Sequence, residues 1–210
     1  MSTETSTPLD TWRTDFGDAY TERNSATHAA LAARLAMWAR ILKAMEGQPP
    51  RSILEAGANL GLNLRALRLL TPADLTAVEP NATARARLVG DGILPVDRVH
   101  DGFCAKLPFN DDSFDLVFTS GVLIHIPPSE LDASCRELHR VAARYLLAVE
   151  YNSEQPQELP YRNREGLLFK RDFGAHYLDL FPSLQVVDYG FFWRPVTGLD
   201  NLTWWLFRKP

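Results

Sequence analysis

The sequence has few cysteines and no excess of basic residues, and each shortage excludes a class of protein. Its 210 residues include two cysteines, Cys104 and Cys135, which are too few and too far apart for a disulfide framework or a zinc cluster. The 22 Lys and Arg residues are outnumbered by 26 Asp and Glu residues, so the net charge is −4. Because there is no basic patch, we expect no nucleic-acid partner.

Long hydrophobic runs are also missing. No stretch approaches the ~20 apolar residues of a membrane-spanning helix. The N-terminal MSTETSTPLD lacks the positive region and apolar core of a signal peptide. We therefore expect a cytoplasmic protein with no membrane partner and with a polar, disordered tail over residues 1–8. The length suits one domain with a sizeable core, so we predict a single domain over residues 1–210.

What the sequence does contain is an alternation of short apolar runs with helical patterns. The apolar runs predict strands at 52–56, 75–79, 96–100, 114–120 and 145–150. The helical patterns predict helices at 27–46, 62–70, 82–90, 127–145 and 171–181. Strands that are apolar throughout are typical of a parallel sheet covered on both faces.

Two further strands, at 184–190 and 202–208, follow with a link too short for a helical crossover, which predicts an antiparallel pair. The sequence therefore predicts an α/β fold. We expect a Rossmann-like, doubly wound, seven-stranded sheet in a three-layer sandwich, mostly parallel with one antiparallel strand near the C-terminus.

Two segments fall outside the alternation. Residues 9–46 begin with the mixed aromatic and charged stretch WRTDFGDAYTERN, and we interpret them as an N-terminal lid followed by a helix. Residues 151–170 are polar and dotted with aromatics, and we interpret them as an inserted cap loop.

The stretch ILEAGANLGLN, residues 53–63, joins the first strand of the sheet to its first helix. Gly57 leaves room for a ligand beside the backbone, and the N–H groups at the start of a helix are free to bind one. A turn without a ligand explains this segment equally well. Glu79 changes the balance, because it ends the second strand 22 residues after Gly57, where doubly wound folds hold ribose hydroxyls.

The type of nucleoside follows from what surrounds the glycines. The segment lacks the G-x-G-x-x-G spacing of a dinucleotide site, and no Walker-type lysine follows Gly61. Glu55 would be unfavourable beside a pyrophosphate but suits a cationic ligand, such as S-adenosylmethionine with its ammonium and sulfonium groups.

Four features together resemble the class I S-adenosylmethionine-dependent methyltransferases: ILEAGANLG, LTAVEPN, LPFNDDSFDLVFTSGVLIHI and the late antiparallel strands. Asn59 departs from the usual alternate glycines of that family. A narrower resemblance is to the methylases associated with pseudaminic acid biosynthesis, in which this Asn is part of the pattern. It rests on DFGDAYTERN, EAGANLGLN, SGVLIHI, VEYN, PYR, LFKRDF and VDYGF.

The resemblance implies a binding site for S-adenosylmethionine, with S-adenosylhomocysteine as the product. The residues that it assigns to the cofactor are, from methionine to adenine, Glu55, Gly57, Asn59, Gly61, Glu79, Asn81, Asp101, Gly102 and Phe103, with Ser120 at the edge of the transfer site. Tyr20 and Arg23 would come from the lid, and the Arg23 guanidinium would bind the cofactor carboxylate.

Three residues are candidates for the catalytic groups. His125 follows the fourth strand and would remove a proton from the acceptor, although a structural histidine is an equally ordinary occupant of this position. Glu150 and Tyr151 end the fifth strand, and Glu150 would anchor a cationic acceptor or simply hydrogen-bond at the rim. Tyr161, Arg162 and Arg171, in or just after the cap loop, would bind an anionic acceptor such as a carboxylate or a phosphate, or would simply hold the loop to the domain. We expect no metal.

The sequence therefore predicts an enzyme that transfers a methyl group to an O or N atom of a small-molecule acceptor in a biosynthetic pathway. A sugar acid, an amino compound and a guanidino compound remain open as acceptors. A protein or RNA methyltransferase, and a nicotinamide-dependent oxidoreductase on a similar fold, remain alternatives. We expect a monomer or a homodimer.

Overall fold

The computed structural model describes residues 8–210, so the predicted tail over residues 1–8 lies outside the described residues except for Pro8. The chain begins with three helices, α1 (Pro8–Arg13), α2 (Asp15–Arg23) and α3 (His28–Lys43). We call α1 and α2 the lid helices. α3 begins after Thr27, whose side chain accepts a hydrogen bond from the N–H of Ala30 and so caps the helix.

The alternating part of the chain follows the predicted order. It runs through β1 (Ser52–Ala56), α4 (Leu62–Leu70), β2 (Asp74–Val78), α5 (Ala82–Gly90), β3 (Val99–His100), β4 (Phe114–Ser120), α6 (Pro128–Val141) and β5 (Ala142–Glu150). The third strand is shorter than expected, because residues Val96–Arg98 form a turn of 3-10 helix. α6 ends earlier than expected, because Ala142 already pairs with Phe114 of β4.

The rest of the chain consists of β6 (Gln157–Glu158), β7 (Phe169–Lys170), α7 (Phe173–Leu180), β8 (Gln185–Phe192), α8 (Arg194–Thr197) and β9 (Leu202–Arg208). β6 and β7 pair with each other inside the cap loop. They form a two-stranded sheet separate from the main one.

The main sheet has seven strands in the order β3-β2-β1-β4-β5-β9-β8. β9 runs antiparallel to both β5 and β8, whereas β1 to β5 pair in parallel. The predicted sheet, with one antiparallel strand near the C-terminus, is confirmed. The strand order reverses between β1 and β4, and ligands of open α/β sheets bind in the crevice at the carboxyl ends of such strands.

Helices cover the two faces of the sheet, and each face has its own apolar cluster. On one face, Trp38 of α3 packs edge-to-face on Phe118 of β4, with ring centroids 4.6 Å apart. On the other face, Leu54 and Val117 pack with Cys135 of α6 and Tyr177 of α7. The side chains of β1 therefore alternate between two buried layers, which explains why the strand is apolar almost throughout. None of the helices in the described part of the chain is long and apolar enough to cross a membrane.

Candidate functional site

A cavity of about 190 Å³ lies at the carboxyl ends of β1, β2 and β4. Its walls come from the turns after β1 and β2, from the loop after β4 (residues 121–127, the post-β4 loop), and from α1 to α3. Nine of the predicted site residues line it: Tyr20, Glu55, Gly57, Asn59, Glu79, Asn81, Phe103, Ser120 and His125.

The turn after β1 has a backbone that favours glycine. Gly57 has φ 81°, and its N–H donates to the carbonyl of Val78 at the end of β2, over 2.8 Å. A Cβ at this position would lie 2.5 Å from Cγ2 of Val122 in the post-β4 loop. Gly61 has φ 65° and starts α4, but it lies behind the cavity against Leu88. Both glycines shape the turn, and of the two only Gly57 lines the cavity.

Glu79 holds the turns after β1 and β2 together. Its carboxylate accepts hydrogen bonds from the backbone N–H groups of Asn59, over 2.7 Å, and of Asn81, over 2.8 Å. Burial raises the pKa of Glu79, and these two hydrogen bonds oppose that rise. The carboxylate therefore has a fixed position on the cavity wall, next to the N-terminus of α5.

The lid helices are attached to the same two turns. The hydroxyl of Thr21 donates to Oδ1 of Asn59 over 3.1 Å. The side-chain amide of Asn81 donates to Asp18 over 2.9 Å, while its oxygen caps α5. Asn59, with φ 44°, thus connects the turn after β1 to α2 through its side chain.

Glu55 and Arg34 bring a carboxyl group and a guanidinium to the cavity. Oε1 of Glu55 accepts a hydrogen bond from Asn63 over 2.7 Å, whereas Oε2 is buried and has no hydrogen-bond partner among the described residues. Burial raises the pKa of Glu55 to about 8. The Arg34 guanidinium, whose pKa is lowered by burial, donates to the carbonyl of Ala30 over 3.4 Å. A buried carboxyl group and a partly buried guanidinium, both with unused hydrogen-bonding capacity, indicate a binding site for a polar ligand.

His125 is neutral and has a defined tautomer. Its Nδ1 lies 2.5 Å from the carbonyl oxygen of Leu167, so we assign the ring proton to Nδ1 and the free lone pair to Nε2. Burial lowers the pKa of His125 to about 4. The ring also packs against Trp12 and Tyr161, with centroid distances of 4.6 Å and 5.0 Å.

Glu150 and Tyr151, the other two catalytic candidates, lie outside this cavity. Oε1 of the fully buried Glu150 accepts from the N–H groups of Val122 and Leu123, over 3.1 Å and 3.2 Å, and burial raises the pKa of Glu150 to about 7. The Tyr151 hydroxyl donates to Asp200 over 2.7 Å, in a separate depression beside Lys170. The structure therefore does not bring the three candidates together.

The remaining predicted residues also lie outside the cavity wall. Asp101 is bound by two arginines, Arg13 at 3.0 Å and Arg85 at 3.2 Å. Arg23 is exposed, with its guanidinium carbon 5.9 Å from the Tyr20 ring centroid. The other members of this group are Gly102 beside Val78, Tyr161 and Arg162 in the cap loop, and Arg171 in a depression next to β6 and β7.

Several cavity-lining residues were not predicted, chiefly Trp12, Thr21, Arg34, Asn63 and Val122. Arg34 had a signal in the sequence, because it falls three residues after Leu31 and four before Trp38, on the apolar stripe of α3. A charge on a buried stripe predicts a functional or paired group. Trp12 had no such signal in the sequence, since the lid helices carry no clear apolar period. Residues 8–210 contain no group of three or more His, Cys, Asp or Glu side chains that could hold a metal ion.

The part of the chain in which strands and helices alternate matches a known family. Residues 54–144 match the family model described as a methyltransferase domain. No curated protein gives a significant sequence match.

Solved structures share the fold over nearly the whole chain. A 1,6-didemethyltoxoflavin-N1-methyltransferase of Burkholderia thailandensis, crystallised with 1,6-didemethyltoxoflavin and S-adenosylhomocysteine, has a TM-score of 0.71 at 21% identity, covering 100% of this chain and 93% of that one. A SAM-dependent methyltransferase of Leishmania major has a TM-score of 0.71 at 17% identity, covering 97% and 87%. A magnesium protoporphyrin IX methyltransferase of Synechocystis, crystallised with S-adenosylmethionine, has a TM-score of 0.67 at 12% identity, covering 100% of both.

The family match over residues 54–144 and the shared fold agree with the predicted class, an S-adenosylmethionine-dependent methyltransferase. They also confirm the Rossmann-like architecture. The predicted cofactor is the one with which two of these neighbours were crystallised, as the substrate or the product form.

Proposed function

We propose that the chain transfers the methyl group of S-adenosylmethionine to an oxygen or nitrogen atom of a small-molecule acceptor, and releases S-adenosylhomocysteine. The observation that carries this proposal is the pair of ionisable groups in the cavity, the Glu55 carboxyl group with its unpartnered Oε2 and the Arg34 guanidinium. The methionine part of the cofactor bears an ammonium and a carboxylate, which complement a carboxylate and a guanidinium. The residues present therefore fit the cofactor.

The other lining residues suit the rest of the nucleoside. Glu79 would accept hydrogen bonds from the ribose hydroxyls, Phe103 would pack on the adenine ring, and Gly57 would allow close approach of the backbone. We assign the cofactor carboxylate to Arg34 rather than to Arg23, because Arg34 lines the cavity and Arg23 is exposed.

When it is bound, S-adenosylmethionine supplies an electrophilic methyl group on a sulfonium. The protein then has to align the acceptor and exclude water. The lid helices and the cap loop are suited to exclusion, since both pack on His125, Trp12 from within the cavity wall and Tyr161 from behind it. Nε2 of the neutral His125 carries a free lone pair that would accept the acceptor proton.

We also place the chain in the group of methylases associated with pseudaminic acid biosynthesis. Support comes from Asn59, which is part of the sequence pattern of this group. Its side chain has a role in this chain, because it accepts a hydrogen bond from Thr21 of the lid helices. The name of the group comes from a pathway association and does not define the acceptor. The neighbours' acceptors, a toxoflavin precursor and a magnesium porphyrin, support a small molecule rather than a protein or RNA. We retain a single domain, with no metal, as part of this proposal.

Isothermal titration with S-adenosylmethionine, S-adenosylhomocysteine and NADH tests the cofactor assignment. We expect both adenosyl ligands to bind and NADH not to bind. Arg34→Gln should weaken both adenosyl ligands at least tenfold, as expected for the loss of one charge-assisted hydrogen bond. Arg23→Gln is the matched control and should retain the wild-type affinity. A folded protein that binds neither adenosyl ligand would refute the proposed function.

A further inference from the structure

Part of the cavity wall is aromatic. The ring of Trp12 lies with its centroid 4.6 Å from that of His125 and 5.3 Å from that of Tyr20, and all three residues line the cavity. Behind them, Tyr161 packs on His125 at 5.0 Å and on Phe16 at 6.2 Å. The lining rings thus come from the lid helices and the post-β4 loop, and the cap loop packs behind them. Flat, rigid side chains of this kind are suited to a flat ligand.

Two polar atoms are available within this wall. Nε1 of Trp12 is buried and has no hydrogen-bond partner among the described residues. Nε2 of His125 carries a lone pair, because Nδ1 bears the proton that binds the carbonyl of Leu167. Buried polar groups are nearly always paired, so an unpaired donor and an available acceptor in one wall indicate a ligand that offers the complementary pair.

The surrounding charges disfavour a cationic ligand. The guanidinium carbon of Arg164 lies 4.9 Å from the Phe16 ring centroid, and that of Arg162 lies 5.6 Å from the Tyr161 ring centroid. Both outer rings of the wall are therefore already in contact with cations. These exposed arginines disfavour a further positive charge beside the outer rings, and the neutral His125 does not offset that effect. The opposite effect comes from Glu130, a cavity-lining carboxylate that the cofactor assignment does not use.

We propose that Trp12, Tyr20 and His125 bind the methyl acceptor, and that this acceptor is a flat aromatic or heteroaromatic molecule that carries no positive charge. Its O–H or N–H group donates to Nε2 of His125, and a neighbouring oxygen or nitrogen accepts from Nε1 of Trp12. The inference rests on the proposed function and narrows it, because it excludes the aliphatic sugar acids, amines and guanidines that fit the sequence.

The inference is tested without turnover by measuring how small probe molecules bind to the protein saturated with S-adenosylhomocysteine. The probes are 2,3-dihydroxynaphthalene, its dimethyl ether, glucuronate and agmatine, each titrated calorimetrically at neutral pH. We expect the dihydroxynaphthalene to bind and the ether to bind about tenfold more weakly, because the ether has no hydrogen to donate. Glucuronate and agmatine should not bind. Tighter binding of either aliphatic probe than of the dihydroxynaphthalene would overturn the proposal.

Two variants locate the probe. Trp12→Phe keeps a ring but removes Nε1–H. His125→Asn keeps a donor for the Leu167 carbonyl but removes Nε2. Each should weaken the dihydroxynaphthalene about tenfold, and His125→Asn should leave the affinity for the ether unchanged. Trp193→Phe is the matched control, since Trp193 is 56% exposed and does not line the cavity.

Affinity for S-adenosylhomocysteine within twofold of wild type shows that a variant is folded. If neither Trp12→Phe nor His125→Asn changes the affinity for the dihydroxynaphthalene, the inference is wrong. If the wild type binds S-adenosylhomocysteine but not the dihydroxynaphthalene, the inference fails while the proposed function stands. If the wild type binds no S-adenosylhomocysteine, the proposed function itself fails.

Discussion

The charged and aromatic parts of the cavity wall are built in different ways. The charged part comes from β1, from α3 and from the turns after β1 and β2. Hydrogen bonds fix the backbone of these turns, as where Gly57 donates to Val78 and Glu79 accepts from Asn59. The aromatic part comes from side chains of separate segments, where Trp12 and Tyr161 meet His125. A wall of hydrogen-bonded backbone leaves little room for substitution, whereas a wall of packed rings can be altered one side chain at a time.

The largest effect is expected at Gly57. In Gly57→Val, the new Cβ would meet Val122 at 2.5 Å and the backbone would keep φ 81°, which β-branched residues avoid. We expect binding of S-adenosylhomocysteine to weaken more than about a hundredfold, since the turn and the post-β4 loop must both move. Isothermal titration measures this change.

The control for that variant is Gly47→Val, because a Cβ on Gly47 meets no atom within 4 Å. Combining Gly57→Ala with Val122→Ala separates the two causes, since it relieves the clash but keeps the backbone strain. Partial recovery of affinity in the double variant supports the steric explanation. Near wild-type affinity in Gly57→Val would show that the turn is not part of a rigid wall.

Glu55→Gln tests the charged part through pH. The pKa of Glu55 rises from 4.5 to about 8 on folding, so the folded state binds more protons than the unfolded state between these values. The free energy of unfolding contributed by this group therefore falls as pH rises through that window. Gln does not titrate in this range, so its contribution to the free energy of unfolding stays constant. From pH 5 to pH 8, the free energy of unfolding of the variant should therefore rise relative to that of the wild type by ~2–4 kcal/mol.

Urea denaturation at pH 5, 6, 7 and 8 measures that difference, with the exposed Glu154→Gln as the control. The same Glu55 variant should bind S-adenosylmethionine about ten- to a hundredfold more weakly, because Gln cannot ionise to pair with the cofactor ammonium. Parallel pH profiles for the variant and the wild type would contradict the raised pKa of the buried Glu55 carboxyl group.

Variants of Glu150 distinguish a residue that supports the post-β4 loop from one that takes part in catalysis. Glu150→Leu leaves the N–H groups of Val122 and Leu123 buried without a partner, so we expect the free energy of unfolding to fall by ~3 kcal/mol. Glu150→Gln keeps an acceptor oxygen and should lose ~1 kcal/mol or less. Thermal and urea denaturation measure both variants.

Turnover distinguishes this role from that of a base. A residue that supports the post-β4 loop should retain most of its turnover as Gln. A residue that removes the acceptor proton should lose about a hundredfold or more in kcat while stability stays unchanged. The second result would restore the catalytic role that the sequence suggested for Glu150.

The sequence was most informative where local pattern and sheet position agree. The helices Leu62–Leu70 and Ala82–Gly90 and the strand Phe114–Ser120 match their predicted bounds, because an apolar period and a clear turn marked each one. Glu55 and Glu79 were found for the same reason, since they follow or end apolar strands at a known spacing. The side chains that close the cavity lie in segments with no regular apolar period and no known spacing, so the sequence did not predict them.

Two residues show the limit in physical terms. Glu150 ends a strand at the expected edge, but whether its carboxylate faces the cavity or the post-β4 loop depends on tertiary packing that no local pattern encodes. Trp12 lies in a six-residue helix, and its contact with His125 spans more than a hundred positions of sequence. Contacts between distant segments of irregular pattern require the structure.

The smallest effect is expected where the two parts of the wall are joined, at Asn59. Asn59→Gly suits the backbone, which has φ 44°, and keeps the N–H that donates to Glu79, but it removes the hydrogen bond from Thr21. These changes oppose each other, so stability should change by less than ~1 kcal/mol and affinity for S-adenosylhomocysteine by less than about fivefold.

Thr21→Val removes the same bond without altering the turn. If each variant weakens binding equally and the double variant weakens it no further, the Thr21–Asn59 bond is what couples the lid to the turn. A loss as large as that of Gly57→Val would instead mean that the Asn59 side chain contacts the cofactor itself, because neither backbone strain nor one lid contact accounts for so large an effect.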